Sequence, residues 1–522
     1  MRPGPPGDPT GQVIAPSGDP EFTLTQRTFR AGHWRSASLI AQVGLQFAVA
    51  VALARLLPPA DFGLAGLALV VIGLVGVLAE AGLGSALVYR HPLSTDDVRL
   101  AFTLSMLVAL ALGLALVLLA PYAAAPFRHA SLANVLRAES PLFLLTAAGS
   151  TARALMRRRL DFRRLFMIDI ASYLGGYALV AVTLAALGFG VWSLVFGALA
   201  QACVGSAFSL ALAPHPVRPL LKVGGGTQLI AYGGADTLNS LVGYAGRAAD
   251  SLVIGRWLGT AELGLYTRAF TLFSVPLSYL GTAMTSVLFP VMAEIRGDAR
   301  RSRSGYLLGV QLMTLIAAPL CAGVIVAAPH LVVGLYGERW RGAVLPLQIL
   351  ASGGILRAVY NLTAAVTYAS GNVMAEVRRQ AVLAVLLYTG ALIGIRWGIA
   401  GVALGVLAGM IFMYFAMAHL SLRIVQGTWR DFFAAHLPGL TLGLQVASVA
   451  LVVRWVMEKV GAGSLPTLVA ITAAGAVTLP IGVYSLPGPL RPSDLFSRFG
   501  ESISHLPVPV RRPLLWVLRL ET

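Results

Sequence analysis

The sequence predicts an all-α polytopic membrane protein with about fourteen transmembrane helices, arranged as two pseudo-symmetric six-helix lobes plus two extra helices. The first observation is composition. Hydrophobic residues make up 57% of the 522 residues and charged residues only 12%, whereas charged residues are about a quarter of an ordinary soluble protein. The second is the presence of about fourteen apolar segments long enough to cross a bilayer, which takes roughly 20 residues. The third is an internal repeat of half the chain length.

The repeat is clearest in two ten-residue segments with the shared pattern R-x-L-x-x-A-[DE]-[FL]-G-L. They are RLLPPADFGL at 55–64 and RWLGTAELGL at 256–265. Each lies between two long apolar segments, so one helix–loop–helix unit occurs twice. A weaker echo pairs Gly188 with Gly398. Duplicated halves in a very apolar chain are typical of transporters, whose two lobes move about a shared cavity. A duplicated membrane enzyme is the alternative.

The distribution of basic residues predicts the topology. With the N-terminus in the cytoplasm, about three times as many Lys and Arg residues fall on the inner side as on the outer side. We therefore expect both termini in the cytoplasm, and the net charge of +17 then reflects topology and not nucleic-acid binding. The expected order is a disordered cytoplasmic tail (1–30), an N-lobe with helices 1–6 (31–213), an interlobe linker (214–226), a C-lobe with helices 7–12 (227–425), helices 13–14 (426–487) and an amphipathic cytoplasmic tail (488–522).

Catalytic and metal-binding motifs are absent from the sequence. There is no G-x-x-x-x-G-K-[ST] motif for nucleotide hydrolysis and no H-E-x-x-H motif or Cys/His cluster for a metal. Cys203 and Cys321 both fall in predicted spans, where free cysteine is usually a small core residue. We expect a protein that is not an enzyme and that needs no metal or cofactor. The basic run at 157–164 is interpreted as an anchor to anionic lipids, with attraction of an anionic substrate as the alternative.

Ionisable residues inside spans are the candidate site, because a charge in lipid costs several kcal/mol unless it faces water or a partner. Arg357 lies about 15 residues into the tenth span, or roughly 22 Å deep. Neither Arg357 nor Arg268, in span eight, has an acidic residue three or four positions away, so we expect both to face an aqueous cavity. Arg247 and Asp250 are three positions apart on span seven and are spaced to pair with each other.

Acidic residues in spans are candidates for ion coupling. Glu80 lies in span two and Asp236 in span seven. Together with Asp250 they are candidates to carry a coupling proton or Na⁺, and satisfied contacts between helices are the alternative. Pro276, in the middle of span eight, and the interlobe linker are the predicted hinges.

Several segments resemble bacterial polysaccharide transporters, the flippases for lipid-linked oligosaccharides. The likeness covers roughly residues 31–425, and its most specific pieces are Phe62-Gly63-Leu64 and Gly82-Leu83-Gly84-Ser85. The resembling segments are 61–90 (DFGLAGLALVVIGLVGVLAEAGLGSALVYR), 250–293 (beginning DSLVIGRWLGTAELGLYTRAF) and 335–351 (LYGERWRGAVLPLQILA). This resemblance places the chain in the superfamily that also holds multidrug antiporters and peptidoglycan-precursor flippases.

The resemblance implies two six-helix lobes around a cationic cavity in which arginines receive a sugar-diphosphate head group. By location, Arg357, Arg268 and Arg247 would bind this substrate. The implied activity is translocation of undecaprenyl-diphosphate-linked oligosaccharides across the bacterial cytoplasmic (inner) membrane by alternating access, for exopolysaccharide, capsule or O-antigen synthesis. The implied partners are lipid-linked oligosaccharide and membrane lipids, with a polysaccharide polymerase and a chain-length regulator as candidate protein partners.

Two other functions stay open from the sequence. A cation-coupled multidrug exporter of the same fold should carry more acidic residues and fewer arginines in the middle of the membrane. A membrane glycosyltransferase or polymerase should carry a catalytic acidic cluster in an outer loop, and the sequence shows none.

Overall fold

The computed structural model describes residues 42–80, 94–220, 243–244, 246–294, 298–370 and 373–485. Every regular element in these ranges is a helix, which confirms the predicted all-α membrane class. Eight of the described helices are long and apolar enough to cross a bilayer, or nine if one bent pair forms a single span. The number of about fourteen refers to the whole chain and stays a prediction. Both predicted tails lie outside the described residues.

The chain divides into two compact units, Met1–Gly264 and Leu265–Thr522. The predicted lobe boundaries and the predicted linker are not tested by this division and stay predictions. The helices of the first unit are α1 (Gln42–Leu56), α2 (Pro59–Glu80), α3 (Thr95–Ala124), α4 (Ala130–Glu139), α5 (Pro141–Arg158), α6 (Phe162–Ala171), α7 (Leu179–Ala186), α8 (Val191–Leu212) and α9 (Ala249–Trp257).

Helix α10 (Thr260–Glu294) begins in the first unit and continues into the second. The remaining helices are α11 (Ala299–Tyr336), α12 (Val344–Ser352), α13 (Gly354–Ser370), α14 (Val373–Gly394), α15 (Gly398–Ile424), α16 (Trp429–Ala434), α17 (Leu437–Lys459) and α18 (Ser464–Ser485). Short 3-10 turns cover Ala125–Phe127, Glu338–Ala343 and Ile395–Trp397, and a π-helical segment covers Ser172–Ala178.

In unit 1, α3 packs on α4 and α5, and α5 packs on α8. Helix α3 starts in a capping box: the Ser94 hydroxyl accepts from the Asp97 N–H at 3.1 Å, and the Asp97 carboxylate accepts from the Ser94 N–H at 3.0 Å. The π-helical segment between α6 and α7 lies directly on α8, because a Cβ on Gly176 would come within 2.6 Å of the Gln201 Cα. Small residues thus let the helices of this unit approach closely.

The first part of the predicted linker is attached to the start of α3. The Arg99 Nε donates to the Arg218 carbonyl at 3.2 Å, and the Leu220 N–H donates to the Thr103 hydroxyl at 3.0 Å. The His215 ring meets the Phe102 ring edge-on at 5.2 Å. Residues 221–226 of the linker lie outside the described residues, so only its beginning is assigned to α3.

The glycines of the two repeat copies meet each other within unit 1. A Cβ added to Gly63, at the start of α2, would collide with the carbonyl oxygen of Thr260, at the start of α10. A Cβ added to Gly264 would in turn collide with the carbonyl oxygen of Pro59. The duplicated motif therefore does more than repeat a turn: its glycine lets the two equivalent helix starts touch backbone to backbone.

Unit 2 is organised around α11, which packs on α12, α13, α17 and α18. Its 38 residues give a length of about 57 Å, well beyond the ~30 Å hydrocarbon core, so α11 extends past the bilayer. Pro319 lies inside α11 and Pro276 inside α10, and both helices are continuous through these positions. The hinge at Pro276 therefore stays a prediction.

Candidate functional site

The strongest candidate, Arg357, lies just after a bend in the chain of unit 2. The segments Glu338–Ser352 and Gly354–Thr363 meet at an angle of 44°, and Arg357 belongs to the first turn of α13. The sequence predicts one uninterrupted span here, the tenth. The bend instead puts the N-terminal end of a helix, which carries partial positive charge, next to the guanidinium. Broken spans of this kind commonly form binding sites in transporters.

Two glycines hold the bend tightly between neighbouring helices. A Cβ on Gly353 would lie 2.7 Å from the Met410 sulfur on α15. A Cβ on Gly354 would collide with the Cys321 sulfur on α11 and lie 3.1 Å from the Phe273 ring on α10. A side chain at either position would have to displace these neighbouring side chains or α13 itself. The first turn of α13 is therefore held by close packing of its glycines against side chains of α10, α11 and α15.

The guanidinium of Arg357 lies over two aromatic rings of α10. Its central carbon lies 5.3 Å from the centre of the Phe270 ring and 5.7 Å from that of Phe273. Both distances are within the range of a cation–π contact, which holds the cation without neutralising its charge. Among the described residues no carboxylate forms an ion pair with Arg357 and no group accepts a hydrogen bond from it. This half-buried cation is thus positioned but not neutralised by the described part of the chain.

Arg268 lies on the same segment of α10 as the rings that contact Arg357. It precedes Phe270 by two residues, is half-buried, and its charge acts on the Tyr336 hydroxyl at the end of α11. Unit 2 therefore places two of the three predicted substrate-binding arginines, Arg268 and Arg357, on or against one stretch of α10.

Arg247 and Asp250 belong to unit 1, and the structure separates their environments. Arg247 is exposed, whereas Asp250 is buried at the start of α9. The Asp250 Oδ1 accepts from the Ser251 N–H at 2.7 Å and from the Ser251 hydroxyl at 3.3 Å. The predicted pairing of Arg247 with Asp250 is not among the ion pairs of the described residues.

The other two candidates for ion coupling stay predictions. Glu80 is the last residue of α2, and its side chain is outside what the structure describes. Asp236 lies outside the described residues altogether. No group of three or more His, Cys, Asp or Glu side chains arranged for a metal ion occurs among the described residues.

The structure adds two charged features of unit 1 that the sequence analysis missed. Arg153 of α5 and Asp169 of α6 form an ion pair at 2.8 Å, which links two consecutive helices. Glu139, the last residue of α4, is only 8% exposed. The sequence signal for both was present but weak: Arg153 lies one turn before the basic run at 157–164, and Glu139 lies two residues before a proline.

The basic run itself forms the turn between α5 and α6. Asp161 caps α6 by accepting a hydrogen bond from the Arg164 N–H at 3.2 Å, and its carboxylate also contacts the Arg164 side chain at 3.3 Å. Leu160, with φ of 57°, makes the turn between the helices. The run is largely exposed, so it is available to lipid head groups or to an anionic substrate.

The chain is similar in sequence to known proteins of polysaccharide biosynthesis. The profile of a family described as polysaccharide biosynthesis protein matches residues 52–345. The succinoglycan biosynthesis transport protein ExoT of Rhizobium meliloti is 29% identical over 458 residues, which cover 85% of this chain and 90% of ExoT. The lipopolysaccharide biosynthesis protein WzxC of Escherichia coli is 26% identical over 346 residues, covering 65% of this chain and 69% of WzxC.

Solved structures share the fold at low sequence identity. The lipid II flippase MurJ in an inward closed conformation superposes with a TM-score of 0.70 at 14% identity, covering 86% of this chain and 97% of MurJ. An inward-facing multidrug resistance transporter of the MATE family, from the MOP superfamily, gives a TM-score of 0.59 at 19% identity, covering 73% of this chain and 94% of that protein. These solved structures confirm the predicted fold, and the family profile and the relatives confirm the resemblance predicted from the sequence.

The chain is thus a multi-pass membrane protein with a transporter fold. The family profile spans more than half of its residues, and the relatives named above include a transport protein of polysaccharide biosynthesis. This protein therefore belongs to the polysaccharide biosynthesis protein family, whose members are membrane transporters and not enzymes.

Proposed function

We propose that this chain flips undecaprenyl-diphosphate-linked oligosaccharides from the inner to the outer leaflet of the cytoplasmic membrane, for exopolysaccharide, capsule or O-antigen synthesis. Its relatives serve different polymers: ExoT is named for succinoglycan, WzxC for lipopolysaccharide, and TuaB of Bacillus subtilis, 24% identical over 297 residues, for teichuronic acid. What such polymers share at the membrane is a charged, sugar-bearing head group on a lipid. That head group is the common substrate class we propose.

The proposal rests on one observation: Arg357 contacts two aromatic rings but no described carboxylate. A diphosphate with attached sugars cannot enter hydrocarbon unaided, because its charges and hydroxyls would lose their water. A guanidinium that lies over the Phe270 and Phe273 rings and donates no hydrogen bond to a described residue is suited to bind phosphate oxygens two at a time. Arg268, on the same stretch of α10, supplies a second positive charge. Arg247 completes the proposed substrate-binding set from unit 1.

Movement of the head group is proposed to occur by alternating access. The repeated halves favour two lobes that rock, with Pro276 and the interlobe linker 214–226 as hinges. Glu80, Asp236 and Asp250 are the proposed carriers of a coupling proton or Na⁺. Both termini are proposed to lie in the cytoplasm, and a polysaccharide polymerase and a chain-length regulator are the proposed protein partners on the biosynthetic pathway.

Reconstitution in lipid vesicles tests this function directly. Vesicles containing the protein receive a fluorescent undecaprenyl-diphosphate oligosaccharide on the inner leaflet, and a lectin added outside reports the sugars that reach the outer leaflet. We expect protein-dependent exposure of this lipid, no exposure of a neutral glycolipid with the same sugars, and no leakage of a trapped small anionic dye, since alternating access never opens a continuous pore. Export of cationic drugs without flipping of the lipid would overturn the proposal in favour of a multidrug exporter.

A further inference from the structure

Glu139 is a buried carboxyl group at the junction of two helices in unit 1. It is the last residue of α4, and Ser140 alone separates it from Pro141, the first residue of α5. Its side chain is 8% exposed, like the apolar residues Leu132, Val135 and Leu136 that share its helix. The proline start of α5 fixes the junction, so this carboxyl group is held inside the helix packing of unit 1.

A contact with α3 locates the junction that holds Glu139 along the length of that helix. The Ser140 carbonyl oxygen lies 3.3 Å from the position that a Cβ would take on Gly113. Gly113 precedes Ala124, the end of α3, by eleven positions, which is about 16 Å along the helix axis. Helix α3 is long and apolar enough to cross a bilayer. The junction that holds Glu139 therefore packs against the middle part of a helix suited to span the membrane, and not against the end of that helix.

No described residue neutralises or hydrogen-bonds this carboxyl group. Helix α4 packs on α2, α3 and α8, and no described charged side chain on these helices forms an ion pair or a hydrogen bond with Glu139. Asp61 contacts the Val191 N–H, and Arg99 pairs with Asp96. The ionisable groups of α4 and of the helices packed on it are Asp61 and Glu80 on α2, Asp96, Asp97, Arg99 and Tyr122 on α3, Arg137 on α4 and Cys203 on α8.

The chemistry of such a site favours a proton over a metal ion. An ionised carboxylate without a partner in this position costs several kcal/mol, whereas the neutral acid costs far less. A hard cation needs about six oxygen ligands, but the adjacent Ser140 hydroxyl already donates to the Arg137 carbonyl at 2.8 Å. A single carboxyl group in an apolar setting is therefore suited to gain and lose one proton.

We propose that Glu139 is a proton-binding site that couples proton movement to transport. In the conformation described here the carboxylate takes a proton from water and is held as the neutral acid. In the conformation that admits water to this side of unit 1, the acid returns its proton to water and becomes charged. The coupling role rests on the proposed function, but proton binding does not, so the two can be tested separately.

Infrared spectroscopy tests proton binding without any substrate. The purified full-length protein in lipid nanodiscs is titrated from acid to alkaline pH, and the difference spectrum reports conversion of carboxylic acid to carboxylate. We expect a carboxylic acid band that persists to neutral pH in the wild type, loses the contribution of one carboxyl group in Glu139→Gln, regains it in Glu139→Asp, and is unchanged in Glu338→Gln, which removes an exposed carboxyl group. A band of the same intensity in Glu139→Gln and in the wild type would overturn the site. A band that changes when Na⁺ replaces K⁺ at constant pH would mean that a metal ion binds, and would also overturn it.

Flipping under a pH gradient tests the coupling. In the vesicle assay we expect an imposed gradient to change the wild-type flipping rate severalfold, and to leave the rate of Glu139→Gln unchanged. Equal responses of the two proteins would overturn the coupling role while leaving the proton site intact. Absence of flipping in every variant would count against the proposed function alone, because the infrared result does not depend on it.

Discussion

Replacing Arg357 by Gln separates what its guanidinium does for folding from what it does for the head group. The guanidinium carbon lies 5.3 Å and 5.7 Å from the centres of the Phe270 and Phe273 rings. A cation–π contact stabilises by about 0.5–2 kcal/mol, with larger values when the cation is desolvated. Because the residue is half-buried and the two rings share one cation, we expect Arg357→Gln to lower the free energy of unfolding by about 1–2 kcal/mol.

The effect on the head group should be larger. A hydrogen bond to a charged group contributes about 1.5–3 kcal/mol, and every 1.4 kcal/mol changes a binding constant tenfold. Loss of the guanidinium should therefore weaken binding of a lipid diphosphate by about 10- to 150-fold. Arg357→Lys keeps the charge but loses the planar, two-point contact, so its binding loss should be the smaller of the two.

Binding of undecaprenyl diphosphate to the protein in nanodiscs is the assay, with thermal unfolding measured in parallel. Arg396→Gln, which removes an exposed arginine from the 3-10 turn Ile395–Trp397 in the same unit, is the matched control and should bind normally. In cells, Arg357→Gln should reduce polymer export and accumulate the lipid-linked unit. A folded Arg357→Gln protein that binds within about twofold of wild type would refute the assignment of this residue to the head group.

Two further predictions concern packing within unit 1. Gly63→Ala should lower the free energy of unfolding by about 1–3 kcal/mol, because its Cβ meets the Thr260 carbonyl oxygen. Gly76→Ala on the same helix is the control: a Cβ there has no atom within 4 Å, so the substitution should be neutral or stabilising by about 0.5–1 kcal/mol. Equal shifts of the two variants in thermal unfolding would contradict this packing. Arg153→Met should destabilise by about 0.5–1 kcal/mol, because it leaves the half-exposed Asp169 without its 2.8 Å partner. A double-mutant cycle with Asp169→Asn should give a coupling energy above ~0.5 kcal/mol, and a value near zero would argue that the pair contributes nothing.

The membrane class and the family could be predicted from local patterns in the chain. Apolar segments long enough to cross a bilayer are recognisable without any knowledge of their neighbours, and so is an arginine such as Arg357 inside one of them. The duplicated motif around Gly63 and Gly264 indicated a transporter because repetition is a property of sequence alone. The sequence did not predict that these two glycines contact each other's helix starts, since that contact joins residues about two hundred positions apart.

The candidate site likewise combines features that the local sequence predicts with features that depend on tertiary packing. Arg357 was identified because a charge in an apolar segment is costly in any fold. The bend at Gly353 and the contact of Arg357 with the Phe270 ring depend on packing against helices that are distant in the chain. Glu139 was not among the residues predicted from the sequence, because the ten residues of α4 are too few to be recognised as a span. It is buried because α4 folds back alongside α3, next to Gly113.

The sequence by itself therefore determined that the protein folds in a membrane, that it is helical, and which family it belongs to. It could do so because the free energy of placing apolar and charged residues in lipid is a sum over local segments. Tertiary structure alone decided which charges are satisfied. Asp169 forms an ion pair with Arg153, and Arg357 contacts two aromatic rings and no described carboxylate. Glu139 is buried and has no described partner. Whether a buried charge is paired depends on which helices meet at its level, and that is set by packing between segments far apart in the chain.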